Sequence, residues 1–395
     1  MPRTLMALTL IGLLGCSGRG ERPPYATAQY NVGTGGSEFH VGNNNNCGPP
    51  APDAGLCGNQ ILPTQQDRPN LYFVIDASGS MADTFDGVNT KYTAAVNAIV
   101  NVLEIIGHRV SYGAAIFPVG NTSSGDGCGL PGIEIFKTQP GDSVICAING
   151  KVGDVLGGFH DLLNLHKPGG GTPLSATLTN LEPTLKDLTG KTAVILATDG
   201  APNCNPTATC DASLCEMNLA GGYFLSNGTP CVAPVNCCDP KLVPDGPTSC
   251  VDNVATNAAL SDLMNAGIPT YVIGLPGIVN TLAAVLDSMA VAGGTARPNS
   301  PRYYEVTDSQ SLADALRTIA TQIAVSCTIT LTEAPPNWGQ VNVYLDSEEV
   351  PQSLDEGWKR IDNQTLEITG TYCATLQTGN VYQVQVTAGC PTYVN

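Results

Sequence analysis

The residues in this 395-residue chain best suited to chemistry are oxygen donors gathered in three short stretches. The first is Asp76-Ala77-Ser78-Gly79-Ser80, a carboxylate and two hydroxyls at alternate positions, with Gly79 free to turn tightly. The second is Gly169-Gly170-Gly171-Thr172-Pro173, a flexible loop carrying one hydroxyl, and the third is Asp199-Gly200. Carboxylates and hydroxyls are hard ligands, and they suit Mg²⁺ or Mn²⁺. Each stretch alone is an ordinary turn. What adds weight is the chain before the two acids: Leu71–Ile75 is an unbroken apolar run, and Thr192–Asp199 reads as another buried strand ending in a carboxylate. Such runs suit strands buried on both faces of a parallel sheet, and open α/β sheets bind ligands at the C-terminal ends of such strands.

In order, in flanking glycines and in the strands before each acid, Asp76, Ser78, Ser80, Thr172 and Asp199 resemble a known site. It is the metal-ion-dependent adhesion site of the von Willebrand factor A family, which includes integrin I domains. The resemblance covers roughly residues 68–324. It implies that Ser78, Ser80 and Thr172 hold the ion directly or through water, while Asp76 and Asp199 act through water. One octahedral position is then left for an Asp or Glu of a protein partner. Asp83 stands where integrin β chains place an acid of an adjacent Ca²⁺ site. The next acid of that pattern is replaced by Thr84, so Asp83 is a weaker candidate for a second metal.

The elements that must position these residues are legible from periodicity. Lys91–Ile106 sets Tyr92, Ala95, Val96, Ile99, Leu103 and Ile106 on one helical face, with Asn89 or Thr90 as cap. Strands are expected at Val110–Phe117, Ile133–Phe136 (a short edge), Ile268–Ile273 and Tyr303–Val306. Helices are expected within Ser143–Leu163 and at Leu174–Leu188, Val251–Ala266, Leu282–Met289 and Leu312–Ile323. This alternation argues for an α/β fold with a doubly wound, mostly parallel, Rossmann-like sheet over residues 68–325. Residues 201–250 interrupt it directly after Asp199 with prolines and seven cysteines, and read as a cross-linked, Cys-rich insertion. From Cys327 the period becomes two: Cys327, Ile329, Leu331; Val341, Val343, Leu345; Leu366, Ile368; Tyr382, Val384, Val386. A small β-sandwich-like domain over 326–395 follows from that pattern.

At the N-terminus Arg3 precedes the apolar run Leu5–Leu14, which is too short for a mature membrane span and suits an export signal. Leu13-Leu14-Gly15-Cys16 resembles the bacterial lipobox, which implies a signal peptide over 1–15 and a lipid anchor at Cys16 in the cell envelope. Residues 16–67, rich in Gly, Asn and Pro, read as a flexible tether. Of the 15 cysteines, an even number remains once Cys16 is lipidated, and export makes disulfides the default. Cys128 and Cys146 bracket the region around the short edge strand and could be partners. The insertion's seven cysteines require a partner outside it, and a cross-link to the tail cysteines Cys327, Cys373 or Cys390 is expected. Zinc is the alternative for the insertion, although paired C-x-x-C knuckles are lacking.

A net charge of −17, from 17 Lys+Arg against 34 Asp+Glu, argues against nucleic acid as a partner. The sequence has no HExxH helix, nucleophile elbow or phosphate loop, and it identifies no general base beside the acids. A non-enzymatic, envelope-located adhesion or protein-binding module is the leading reading, at the outer membrane and facing either the periplasm or the cell surface. A structural component whose metal stabilises the fold comes second, and a metal-dependent hydrolase third.

Overall fold

The computed structural model describes residues 60–62, 64–65, 68–120, 127–143, 146, 152–277, 280–346, 348–378, 381 and 383–394. Cys16, Cys47, Cys57, Tyr382 and most of the expected tether lie outside them. Two short strands, β1 (Gln60–Ile61) and β2 (Thr64–Gln65), open the described chain. The α/β unit follows as β3 (Asn70–Asp76), α1 (Lys91–Ile106), β4 (Ser111–Phe117), β5 (Ile133–Pro140), α2 (Asp154–Asn164), α3 (Leu174–Asp187) and β6 (Thr192–Thr198). It continues as α4 (Glu216–Ala220), α5 (Asn253–Asn265), β7 (Thr270–Gly274), α6 (Asn280–Ala292), β8 (Tyr304–Glu305) and α7 (Ser309–Ala324).

Every residue of β3 is buried, as an apolar run with no polar face requires. Its side chains alternate between two cores. Leu71, Phe73 and Ile75 pack with α1, α2 and α7, while Tyr72 and Val74 pack with α3, α5 and α6. The sheet order is β5-β4-β3-β6-β7-β8, parallel throughout except that β5 runs antiparallel to β4 at one edge. The order reverses around β3, so the loops after β3, β4 and β6 meet at one edge of the sheet. Helix α1 starts where the Thr90 hydroxyl accepts the Thr93 N–H at 3.1 Å.

The second unit consists of β9 (Thr328–Leu331), β10 (Val341–Leu345), β11 (Glu348–Val350), β12 (Gly357–Arg360), β13 (Thr365–Thr369), α8 (Gly370–Gln377) and β14 (Val384–Ala388). Its two antiparallel sheets, β1-β14-β10-β11 and β12-β13-β9-β2, enclose Trp358, Val343, Val386, Leu366 and Ile368. One expectation is corrected here: the tether does not run to residue 67. Ile61 pairs with Thr387, Thr64 pairs with Leu331, and Leu62 is buried in the sandwich core. Strands of two residues are too short for a period of two to show in sequence. The α/β unit is therefore inserted between β2 and β9 of the sandwich, so both of its ends lead into the same small domain. Ala324 and Val325, at the end of α7, pack into the sandwich core, and the Arg109 guanidinium donates to the Val381 carbonyl.

The disulfides are Cys128–Cys204, Cys210–Cys250, Cys215–Cys238, Cys231–Cys237 and Cys327–Cys373; Cys146 and Cys390 are disulfide-bonded too. Neither the possible Cys128–Cys146 bridge nor the expected link from insertion to tail is formed. Cys128 bonds Cys204 rather than Cys146, because antiparallel β5 carries the chain away from the edge where the loops after β4 and β6 meet. The insertion's odd cysteine accordingly finds its partner within the α/β unit, while Cys327–Cys373 closes inside the sandwich. The sulfurs of Cys210, Cys238 and Cys250 lie within 4.8 Å of one another, but all are engaged in disulfides, which removes the zinc alternative for them.

Candidate metal centre

The end of β3 delivers Asp76 to the C-terminal edge of the sheet, fully buried. Its Oδ1 accepts the Ser78 N–H at 2.7 Å and its Oδ2 accepts the Thr198 hydroxyl at 2.5 Å, so the two central strands are tied together at the acid. After Ser78 the chain enters a 3-10 turn over Gly79–Ala82 and brings Ser80 back toward β6. There the Ser80 hydroxyl donates to Asp199 Oδ1 at 2.8 Å and lies 3.3 Å from the Ser78 hydroxyl. Gly79 and Ser80 are exposed, while Asp76, Ser78 and Asp199 are buried beneath them, which gives the cluster one open side.

Thr172 joins through its backbone. The glycine loop is docked by two bonds, Gly79 N–H to the Gly170 carbonyl and Gly169 N–H to the Ala77 carbonyl, each 2.8 Å. Asn203 then clamps Thr172 on both sides: its Oδ1 accepts the Thr172 N–H at 2.6 Å, and its own N–H donates to the Thr172 carbonyl at 2.9 Å. Asn203 is steadied in turn by Glu216 of α4, whose Oε2 accepts its Nδ2. The Cys128–Cys204 bridge lies against the same loop. A Cβ on Gly171 would stand 2.4 Å from the Cys204 sulfur and 2.9 Å from Asn203 Oδ1, so this close approach requires glycine. The insertion thus folds back onto the loop that carries Thr172. Asn203 carried no signal in sequence, because it reads as one more polar residue of an irregular segment.

Lys91 is the second residue that sequence reading missed. Its Nζ donates to Asp199 Oδ2 at 2.7 Å, with the two side chains 7 % and 0 % exposed. Asp83, the candidate for a second metal, faces the same ammonium at 3.5 Å and is largely exposed. A signal was available: Lys91 is the first residue of α1, and a cation at a helix N-terminus opposes the macrodipole unless an acid stands by.

The electrostatics fit a cation. Burial, and then the charge of Asp199, push the Asp76 carboxyl up to about 7. Two buried carboxylates are set at one edge with hydroxyls, a donor set suited to a hard divalent ion, and the Lys91 ammonium pairs with one of them, Asp199. Asp76, Ser78, Ser80 and Asp199 would hold it, with Thr172 on the adjoining loop, and the ion would supply a Lewis-acid position toward the exposed side.

No protein-family model matches the sequence, and no curated protein matches it. Similar solved structures include the pilus adhesin SpaC of Lactobacillus rhamnosus GG, at 18 % identity and a TM-score of 0.45, covering 82 % of this chain and 39 % of that one. The chain therefore spans about two fifths of SpaC. The vWF domain of the type V pilus tip protein Mfa5 of Porphyromonas gingivalis is similar at 12 % identity and a TM-score of 0.39, covering 67 % of this chain and 96 % of that one. The manganese-loaded TRAP protein of Plasmodium vivax is similar at 16 % and 0.38, covering 77 % and 94 %. Overall superposition is loose in all three. The strand order, with an antiparallel edge strand beside β4 and the paired acids at the ends of β3 and β6, makes the α/β unit a doubly wound, mostly parallel sheet with its polar cluster at the C-terminal edge.

Proposed function

We propose that this chain is an extracytoplasmic protein-binding or adhesion module whose site takes Mg²⁺ or Mn²⁺ and is completed by an Asp or Glu of a protein partner. The observation that carries the reading is the buried pair Asp76 and Asp199, joined through Ser78 and Ser80, with Ser80 itself exposed. Ser78, Ser80 and Thr172 are neutral donors, so a bound ion keeps charge with which to attract a carboxylate. Export is supported by the disulfides that build the insertion, and attachment through Cys16 supplies the membrane partner. No helix among the described residues is long and apolar enough to cross a membrane.

A second reading, a structural component of the cell envelope whose metal site stabilises the fold, is favoured by one observation: the site is tied into the buried core, where Asp76 joins β3 to β6 through Thr198 and Lys91 of α1 pairs with Asp199. Calorimetric titration with Mn²⁺ of the whole chain and of Asp199→Asn separates the two readings, together with adhesion of producing cells in Mg²⁺ and in EDTA. The module predicts Mn²⁺ binding that is lost in folded Asp199→Asn, and adhesion that EDTA abolishes. Unchanged adhesion in EDTA would move the protein to the structural class.

A further inference from the structure

We propose that Lys91 is a built-in competitor for the cation site: its ammonium holds Asp199 in the metal-free domain, and a divalent ion must displace it to gain that carboxylate. The inference rests on the metal-binding reading above and concerns how that site is regulated.

Both oxygens of Asp199 are already used. Oδ1 accepts from Ser80 at 2.8 Å, and Oδ2 accepts from Lys91 at 2.7 Å. The ammonium is therefore a monovalent cation lodged on one of the two acids that would hold the metal, and at that range in a buried setting it opposes an incoming dication. Its position is built. Lys91 is the first residue of α1, where the helix dipole disfavours a positive charge, and the two carboxylates that compensate it are Asp199 and Asp83. The loop after β7 closes over it at Gly277, whose φ is +111° and where an added Cβ would stand 3.0 Å from Nζ. Asp83, by contrast, lies 3.5 Å from Nζ with its side chain 69 % exposed. The lysine thus has an inner acceptor that the metal needs and an outer acceptor that can receive it. Entry of the ion and a swing of Lys91 from Asp199 to Asp83 become one event, which lowers the apparent metal affinity by the free energy of the displaced pair.

The experiment is calorimetric titration with Mn²⁺ alone, at one fixed pH, of the full chain and of Lys91→Met and Lys91→Arg, with thermal melts in EDTA and in Mn²⁺. Methionine keeps the length and apolar stem of lysine without its charge. Lys91→Met is expected to bind Mn²⁺ tighter by about tenfold or more, to melt lower in EDTA, and to gain more from Mn²⁺ than the parent does. Lys91→Arg, which keeps the charge, is expected to bind no tighter than the parent. A Lys91→Met protein that folds only when Mn²⁺ is present supports the proposal equally, and one unfolded in both conditions overturns it in favour of a purely structural lysine. Equal or weaker binding by folded Lys91→Met overturns the proposal and leaves the metal site standing. Absence of Mn²⁺ binding in both proteins overturns the metal reading together with it.

Discussion

The sheet around β3 and the insertion after Asp199 meet at the same site but are held together by different chemistry. In the sheet, buried apolar side chains from β3, β4, β6 and β7 alternate between two helical layers. In the insertion the buried cluster consists of Cys215, Cys231, Cys237, Cys238 and Cys250, with regular structure limited to a short helix and single turns. The difference teaches where stability and precision reside. The sheet fixes Asp76 and Asp199 through cooperative packing, whereas the insertion fixes Thr172 through one side-chain clamp and one disulfide.

The comparison breaks most severely if the sheet is attacked. Val74 is fully buried at the middle of the central strand. Val74→Asp places an unpaired charge there, a cost of several kcal/mol, and is expected to abolish the cooperative melt of the α/β unit by circular dichroism. The paired change Cys231→Ser with Cys237→Ser removes a bridge between residues only six apart. It is expected to leave that melt in place while making the insertion sensitive to protease. A loss of the sheet in the cysteine variant would show that the two regions fold as one.

A smaller effect sharpens the comparison at its point of contact. Cys128–Cys204 is the bridge that presses on Gly171, across a sequence separation of 76. Replacing both cysteines by serine is expected to cost about 2–4 kcal/mol of stability, read by denaturant titration. Because Asn203 is the next residue, Mn²⁺ affinity should fall as well. Unchanged affinity in this variant would mean that Asn203 positions Thr172 unaided.

The same contrast explains what was legible in the sequence. Leu71–Ile75 and Thr192–Asp199 betray buried strands because largely apolar runs have few other uses, and the acids at their ends follow from the topology. α1 is found at its expected bounds, Lys91–Ile106, because its apolar spacing is regular. Disulfide pairing was not legible, since Cys128 meets Cys204 only after β5 has turned the chain around. β1 and β2 were too short to carry a pattern. Lys91 was hidden in plain view, counted as the start of a helix when its end of that helix is the wrong one for a cation.

The smallest effect concerns pH and separates the site from the core beneath it. Burial first, and then Asp199, raise the Asp76 carboxyl from 3.8 to about 7. A carboxyl whose pKa is raised on folding favours the folded state when protonated. Its contribution is complete below the unfolded value of 3.8 and disappears as pH climbs through about 7. The chain in EDTA should therefore melt lower at pH 8 than at pH 5, by a few degrees at about 2–4 °C per kcal/mol. Glu104 and Glu216, pushed up by burial to about 7 and about 6, act in the same direction and remain in every variant compared. Asp76→Asn removes only the first share, so the pH dependence should flatten without vanishing. Mn²⁺ should flatten it too in the parent chain, because an ion held by Asp76 and Asp199 would take the place of the proton, and should flatten it less in Asp76→Asn. A pH profile in EDTA that is the same for Asp76→Asn and the parent would show that the two acids are already neutralised by other means, with Lys91 the first residue to test.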